Sequence, residues 1–62
     1  MSTAELASVA DGLEQAARRI AAIADERQAA KREDIASALY DIERGVLSAQ
    51  RRLEKLLREL SR

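Results

Sequence analysis

The chain has 62 residues, which is enough for one domain and no more. Ordering a small chain costs ~1.5 kcal/mol per residue, which calls for on the order of 3,500 Å² of buried apolar surface. Cysteine and histidine are absent, so disulfides and ordinary zinc sites are excluded as further sources of stability. The composition therefore indicates that the chain associates with another chain.

Alanine, leucine, isoleucine and valine supply most of the apolar content, and Tyr40 is the only aromatic residue. Proline is absent and glycine occurs only at positions 12 and 45, so the sequence predicts an all-α protein. The N-terminus has no basic region followed by an apolar run, and no apolar stretch approaches the ~20 residues of a membrane span. We therefore expect a cytoplasmic protein with no membrane span.

The formal net charge is zero, but the charges are unevenly distributed. All charged residues before Arg18 are acidic, whereas most charged residues from Arg44 onward are basic. This distribution favours helix dipoles and brings opposite charges together if the two ends of the chain meet in antiparallel fashion.

The first predicted helix begins near residue 3, because Ser2 and Glu5 have the spacing of a capping box. Its apolar residues then recur at helical spacing in three rows, which is more than a two-row coiled-coil seam requires. The rows are Leu6, Leu13 and Ile20; Ala10, Ala17 and Ala24; and Val9, Ala16, Ile23 and Ala30.

The second half of the chain carries a continuous apolar seam with alternating spacings of four and three. Its members are Ile35, Leu39, Ile42, Val46, Ala49, Leu53, Leu56 and Leu60. Extending the first helix by heptad steps misses this seam, so the chain is expected to change direction in the polar stretch between them.

The resulting prediction is an antiparallel helical hairpin over residues 1–62. It has a helix at about 3–31, a turn at about 31–34 capped by Asp34, and a helix at about 35–61. The alternative is one continuous helix of ~90 Å that pairs with a second copy. A lone hairpin leaves the Val9 row, Leu47 and Leu57 uncovered, so we expect two hairpins to form a homodimeric four-helix bundle.

The segment Asp34-Ile35-x-x-x-Leu39-x-Asp41 at the start of the second helix, together with the two equal helices, resembles the plasmid repressor-of-primer family. The resemblance implies an antiparallel dimer of helical hairpins that binds paired RNA loops. In that family the first helices carry the binding face, where this chain offers Gln15, Arg18 and Arg19.

The residues themselves favour a non-enzymatic interaction, assembly or small regulatory protein acting through homodimerisation and protein–protein contacts. Without histidine or cysteine, the common general base and thiol nucleophile are missing, and no catalytic, metal or cofactor site and no small-molecule substrate is predicted. The alternatives are a small RNA- or DNA-binding regulator, with nucleic acid as the less favoured partner, and a structural module without a ligand. The candidate partner-contact residues are Tyr40, Leu47, Leu57, Arg51, Arg52, Lys55 and Arg58.

Overall fold

The structure is a computed structural model that describes residues 2–61. Within that range it contains two α-helices, α1 (Thr3–Ala29) and α2 (Glu33–Leu60), and no strand. The helices pack against each other as a hairpin whose Cα extents are 47 × 14 × 13 Å. The predicted hairpin is confirmed, and the alternative of one continuous rod does not hold.

Helix α1 begins as the capping box predicts. The backbone N–H of Glu5 donates to the Ser2 side-chain oxygen at 3.1 Å, so one of the amide groups that the helix leaves without an internal partner is satisfied. Ser2 itself is extended, with φ −98° and ψ 155°, as a cap residue requires.

The turn reverses the chain without glycine, because Lys31 adopts the left-handed conformation with φ 62°. The N–H of Lys31 donates to the carbonyl of Gln28 at 3.0 Å, and the N–H of Arg32 donates to that of Arg27 at 2.8 Å. This pair of bonds is a Schellman motif, which satisfies carbonyls at the end of α1. A lysine normally disfavours this conformation by ~1–2 kcal/mol.

Both helix ends at the turn differ from the prediction. Helix α1 stops at Ala29, and α2 starts at Glu33 rather than at residue 35. The predicted Asp34 cap is wrong, because Arg32 is the N-cap residue and no side chain caps α2. The Schellman motif completes the reversal by Arg32, so Glu33 and Asp34 instead place their negative charges in the first turn of α2, near the positive end of its dipole.

The two helices meet along one heptad row from each, which we call the contact row. It consists of Ala10, Ala17 and Ala24 in α1 and Ala36, Glu43, Gln50 and Leu57 in α2. Its three α1 alanines and Ala36 are the only buried apolar residues among those described, and Gln50 is buried beside them. Because alanines have short side chains, the helices can approach closely, but this contact buries little apolar surface.

Candidate interaction surface

The large apolar side chains lie beside the contact row. Val9, Ile23 and Ile42 each immediately precede a contact-row residue, so they point away from the helix-helix contact by about a quarter turn. Antiparallel helices that face each other are related by a two-fold rotation about an axis perpendicular to the plane of the hairpin. Residues with the same relation to the contact row therefore lie on the same side.

These side chains form a continuous surface along the hairpin, which we call the apolar face. In α1 it consists of Leu6, Val9, Leu13, Ala16, Ile20 and Ile23. In α2 it consists of Ile35, Leu39, Ile42, Val46, Ala49, Leu53, Leu56 and Leu60. None of these residues carries a charge, and none is buried.

The most exposed side chains of the apolar face retain about half of their accessible surface. Val9 and Ile42 each retain 53% of their accessible surface, and Leu60 retains 52%. No large side chain among the described residues is fully buried. The α2 seam therefore faces α1 only in part, and its members Ile42, Leu56 and Leu60 are exposed to solvent.

The opposite side of the hairpin is polar, and we call it the polar face. It carries Glu14, Asp25 and Gln28 from α1 and Tyr40, Leu47, Arg51 and Glu54 from α2. The Tyr40 hydroxyl donates to the carboxylate of Asp25, and Gln28 Oε1 lies 3.0 Å from the same hydroxyl. These contacts join the two helices near the turn.

The neighbouring acids alter the acidity of Tyr40. Its pKa is raised above the ordinary value of 10.0, first because the hydroxyl donates to Asp25. Partial desolvation and the negative charges of Asp25 and Glu43 raise the pKa further, because each disfavours a tyrosinate. Tyr40 is thus a neutral hydrogen-bond donor at physiological pH.

The ion pairs among residues 2–61 are local in sequence. Arg18 pairs with Glu14 at 3.0 Å within α1, as its four-residue spacing predicts, and Arg44 pairs with Asp41 within α2. Arg32 pairs with Asp34 across the start of α2 at 3.6 Å. The acidic start of α1 and the basic end of α2 therefore form no ion pair with each other in the described chain.

The candidate partner-contact residues do not form one surface. Tyr40 and Leu47 lie on the polar face, together with Arg51 and Arg58, while Arg52 and Lys55 point outward. Leu57 lies toward α1, where it lines a groove with Ala10 and Gln50. Whether any of them contacts a partner stays a prediction.

The sequence pattern did not identify Ile42, Leu56 and Leu60 as exposed, because a continuous apolar seam is normally expected to pack against the nearest helix. A signal in α1 identifies the inner side. The alanine row of α1 packs against a row of α2 whose residues are mostly small or polar, and this row includes Ala36, Glu43 and Gln50. Leu57 is the one leucine of that row, and the leucine-rich seam lies beside it.

The described residues form neither a metal site nor a membrane span. No group of three or more acidic residues is arranged to hold a metal ion within positions 2–61. Neither α1 nor α2 is long and apolar enough to cross a membrane. The apolar face is therefore the most extensive candidate site in this part of the chain.

No protein-family model, curated protein or solved structure matches this chain. Its functional interpretation consequently depends on its own residues and on the surfaces described above.

Proposed function

We propose that this chain is a non-enzymatic helical assembly module that acts by self-association through the apolar face. One observation carries the proposal: among residues 2–61 the buried apolar residues are all alanines, and no large side chain in that range is fully buried. An assembly of this kind leaves the polar face, including Tyr40, available for protein–protein contacts.

The exposed area supports the same conclusion. The hairpin has an accessible surface of 4743 Å², whereas a compact monomer of 6.9 kDa exposes about 4,000 Å². An unfolded chain of this mass exposes about 10,000 Å², so the hairpin buries only a little over half. Domains of this size typically bury ~60% and are marginal even then, so a partner that covers the apolar face supplies the missing burial.

A second copy of the chain is the partner that best fits this face. The face runs the length of a hairpin that measures 47 Å by 14 Å between Cα atoms, so covering it buries on the order of 800 Å² per partner, the usual size of a stable interface. An uncharged face on a chain of zero net charge needs no oppositely charged partner. Two such faces form an isologous contact and complete a four-helix bundle.

The experiment is a measurement of absolute mass by sedimentation equilibrium over a range of protein concentrations. We expect twice the chain mass, with dissociation on dilution accompanied by loss of helical circular dichroism. Ile42→Lys places a charge on the apolar face and should raise the dissociation constant by at least about 100-fold. The matched control is Ser48→Lys, an exposed position on the same helix outside the apolar face, which should leave the mass unchanged.

A folded wild-type hairpin that keeps the mass of one chain at every concentration would contradict the proposal. So would equal effects of Ile42→Lys and Ser48→Lys on the dissociation constant, because the apolar face would then have no special role.

Nucleic-acid binding is the second candidate function. It is favoured by four exposed bases, Arg51, Arg52, Lys55 and Arg58, which lie outside the apolar face and form no ion pair among the described residues. A dimer would present this group twice. If the group binds RNA or DNA, the affinity for a labelled oligonucleotide should fall steeply with salt, and Arg51→Gln with Arg58→Gln should reduce that slope. No retardation at low salt would contradict this function without affecting self-association.

A further inference from the structure

The two helices carry the same residue pattern 33 positions apart. Six pairs are identical: Leu6 and Leu39, Gly12 and Gly45, Ala16 and Ala49, Arg18 and Arg51, Arg19 and Arg52, Glu26 and Glu59. Four more pairs are aliphatic in both helices: Val9 and Ile42, Leu13 and Val46, Ile20 and Leu53, Ile23 and Leu56. The alignment needs no gap, and we call this shared residue pattern the repeat.

The glycines show that the repeat is more than a shared helical period. A Cβ atom added at Gly12 or at Gly45 would meet nothing within 4 Å, so packing inside the hairpin does not require glycine at either place. Glycine in a helix costs ~1 kcal/mol relative to alanine, yet both helices carry it at the equivalent position, four residues before an equivalent alanine.

In an antiparallel hairpin this repeat creates a pseudo-two-fold axis perpendicular to the plane of the helices. The axis passes through the apolar face near the middle of the hairpin, close to Ala16 and Ala49. A rotation of 180° about this axis exchanges α1 with α2. The centre of the apolar face then looks nearly the same, because Val9 takes the place of Ile42 and Ala16 takes the place of Ala49.

This symmetry bears on how a second copy can cover the face. The copy can place its turn at the same end as the first turn or at the opposite end, and these two arrangements differ only by that half turn. The centre of the interface is therefore nearly the same in both. Only residues where the two repeats differ in polarity can select one arrangement.

Those residues lie at the ends of the apolar face. Helix α2 is apolar at both ends, with Ile35 and Leu60, whereas the equivalent positions of α1 are Ser2 and Arg27. With the turns at opposite ends, α2 lies on the partner's α2, and Leu60 lies near the partner's Ile35. With the turns at the same end, α2 lies on the partner's α1, so Leu60 would lie near the partner's Ser2 and Ile35 near the partner's Arg27.

We propose that the second copy binds the apolar face with its turn at the opposite end, and that Arg27 and Leu60 are the residues that select this orientation. The inference rests on the proposed self-association and specifies its geometry. The opposed arrangement joins apolar ends to apolar ends and leaves both Arg27 side chains at polar ends, where they stay hydrated. The same-end arrangement desolvates Arg27 against isoleucine.

The experiment measures the distance between the two turns of the dimer. The chain contains no cysteine, so Ala30→Cys introduces one attachment site for a spin label at the exposed turn. Pulsed electron paramagnetic resonance should give a distance close to the 47 Å length of the hairpin. Turns at the same end would instead lie little further apart than the ~10 Å between packed helices, plus the reach of the labels.

A double variant tests the selecting residues in the same labelled chain. Exchanging the two side chains, as Arg27→Leu with Leu60→Arg, keeps the composition but makes the turn end apolar and the other end polar. This variant should change the distance from long to short. The matched control exchanges another repeat-equivalent pair, Ala22→Lys with Lys55→Ala, which is exposed and lies outside the apolar face, and it should keep the long distance.

The outcomes separate the two proposals. A monomeric mass contradicts both the proposed function and this inference. A dimer whose turns lie at the same end contradicts only the inference, and self-association stands. A dimer with opposed turns in which the Arg27/Leu60 exchange keeps both the dimeric mass and the long distance overturns the assignment of these two residues. If the exchange yields no dimer, the distance in the Ala30→Cys chain alone decides the orientation.

Discussion

The two faces of the hairpin are built from the same helices but satisfy their side chains in different ways. On the polar face, Tyr40 reaches Asp25 and Gln28 across the hairpin, and Glu14 pairs with Arg18 on the same helix. On the apolar face, Ile42 and Val9 remain about half exposed. Polar groups can be satisfied by neighbours or by water, whereas aliphatic groups need a covering surface. The side chains of the polar face are therefore satisfied within one hairpin, whereas those of the apolar face need a second surface to cover them.

The largest expected effect comes from shortening a large side chain of the apolar face. If a second copy covers Ile42, then Ile42→Ala should lower the free energy of unfolding by about 2–5 kcal/mol per chain. An isoleucine that stayed exposed would cost no more than about 0.5 kcal/mol. Chemical denaturation followed by circular dichroism, at two protein concentrations, measures the difference.

Leu47→Ala is the matched control, because Leu47 lies half-buried on the polar face of the same helix. It should reduce stability without changing how the denaturation midpoint depends on protein concentration. A small effect of Ile42→Ala, or an equal change of concentration dependence in both variants, would remove the distinction between the faces.

A smaller effect is expected at the turn, which belongs to neither face. Lys31 has φ 62°, a conformation that glycine adopts without a steric penalty. Lys31→Gly should therefore raise the free energy of unfolding by about 1 kcal/mol. The mass of the dimer at high concentration should not change. Lys31→Ala is the control, since it removes the lysine side chain but keeps the Cβ atom, and a gain equal to that of glycine would contradict a steric origin.

The smallest effect is expected on the polar face and depends on pH. The folded pKa of Tyr40 is raised above its ordinary value of 10.0, chiefly by donation to Asp25. The contribution of Tyr40 to stability is therefore fully present below the unfolded pKa and is lost as the pH rises through the higher folded pKa. Ultraviolet absorbance reports this ionisation directly, because Tyr40 is the only tyrosine in the chain.

Tyr40→Phe supplies the control for the pH experiment. It should abolish the part of the alkaline loss of stability that follows the tyrosine titration. Asp25→Asn should move the pKa of Tyr40 down toward its ordinary value. A wild-type Tyr40 that titrates at or below its ordinary pKa would contradict the contact with Asp25.

Much of the fold follows from local sequence features. Ser2 and Glu5 predict the start of α1, and the loss of heptad phase after Ala24 predicts the reversal near Lys31. The detail of the turn was less predictable, because the sequence contains no glycine there and a lysine adopts the left-handed conformation instead. Tertiary packing of the two helices keeps Lys31 in a conformation that its own preference disfavours.

The orientation of α2 was harder to predict than its existence. The apolar seam of α2 is strong, and a strong seam is normally assigned to the nearest partner helix. Here the inner row of α1 is Ala10, Ala17 and Ala24, and the row of α2 that faces it is mostly small or polar, with Leu57 as its one leucine. A single sequence indicates which residues are apolar, but deciding between a partner within the chain and one outside it requires the fit of side-chain volumes.

The alanine contact row has a consequence for how long such a chain survives. Because most large apolar side chains become buried only on pairing, folding of the proposed dimer follows mass action and strengthens with the amount of chain present. At low abundance the dissociated chain would predominate, lose its helical structure and expose its backbone to proteases, whose action pulls the equilibrium toward degradation. The lifetime of the polypeptide would then rise with its own abundance. The cause is the small apolar area that four buried alanine side chains provide inside one hairpin.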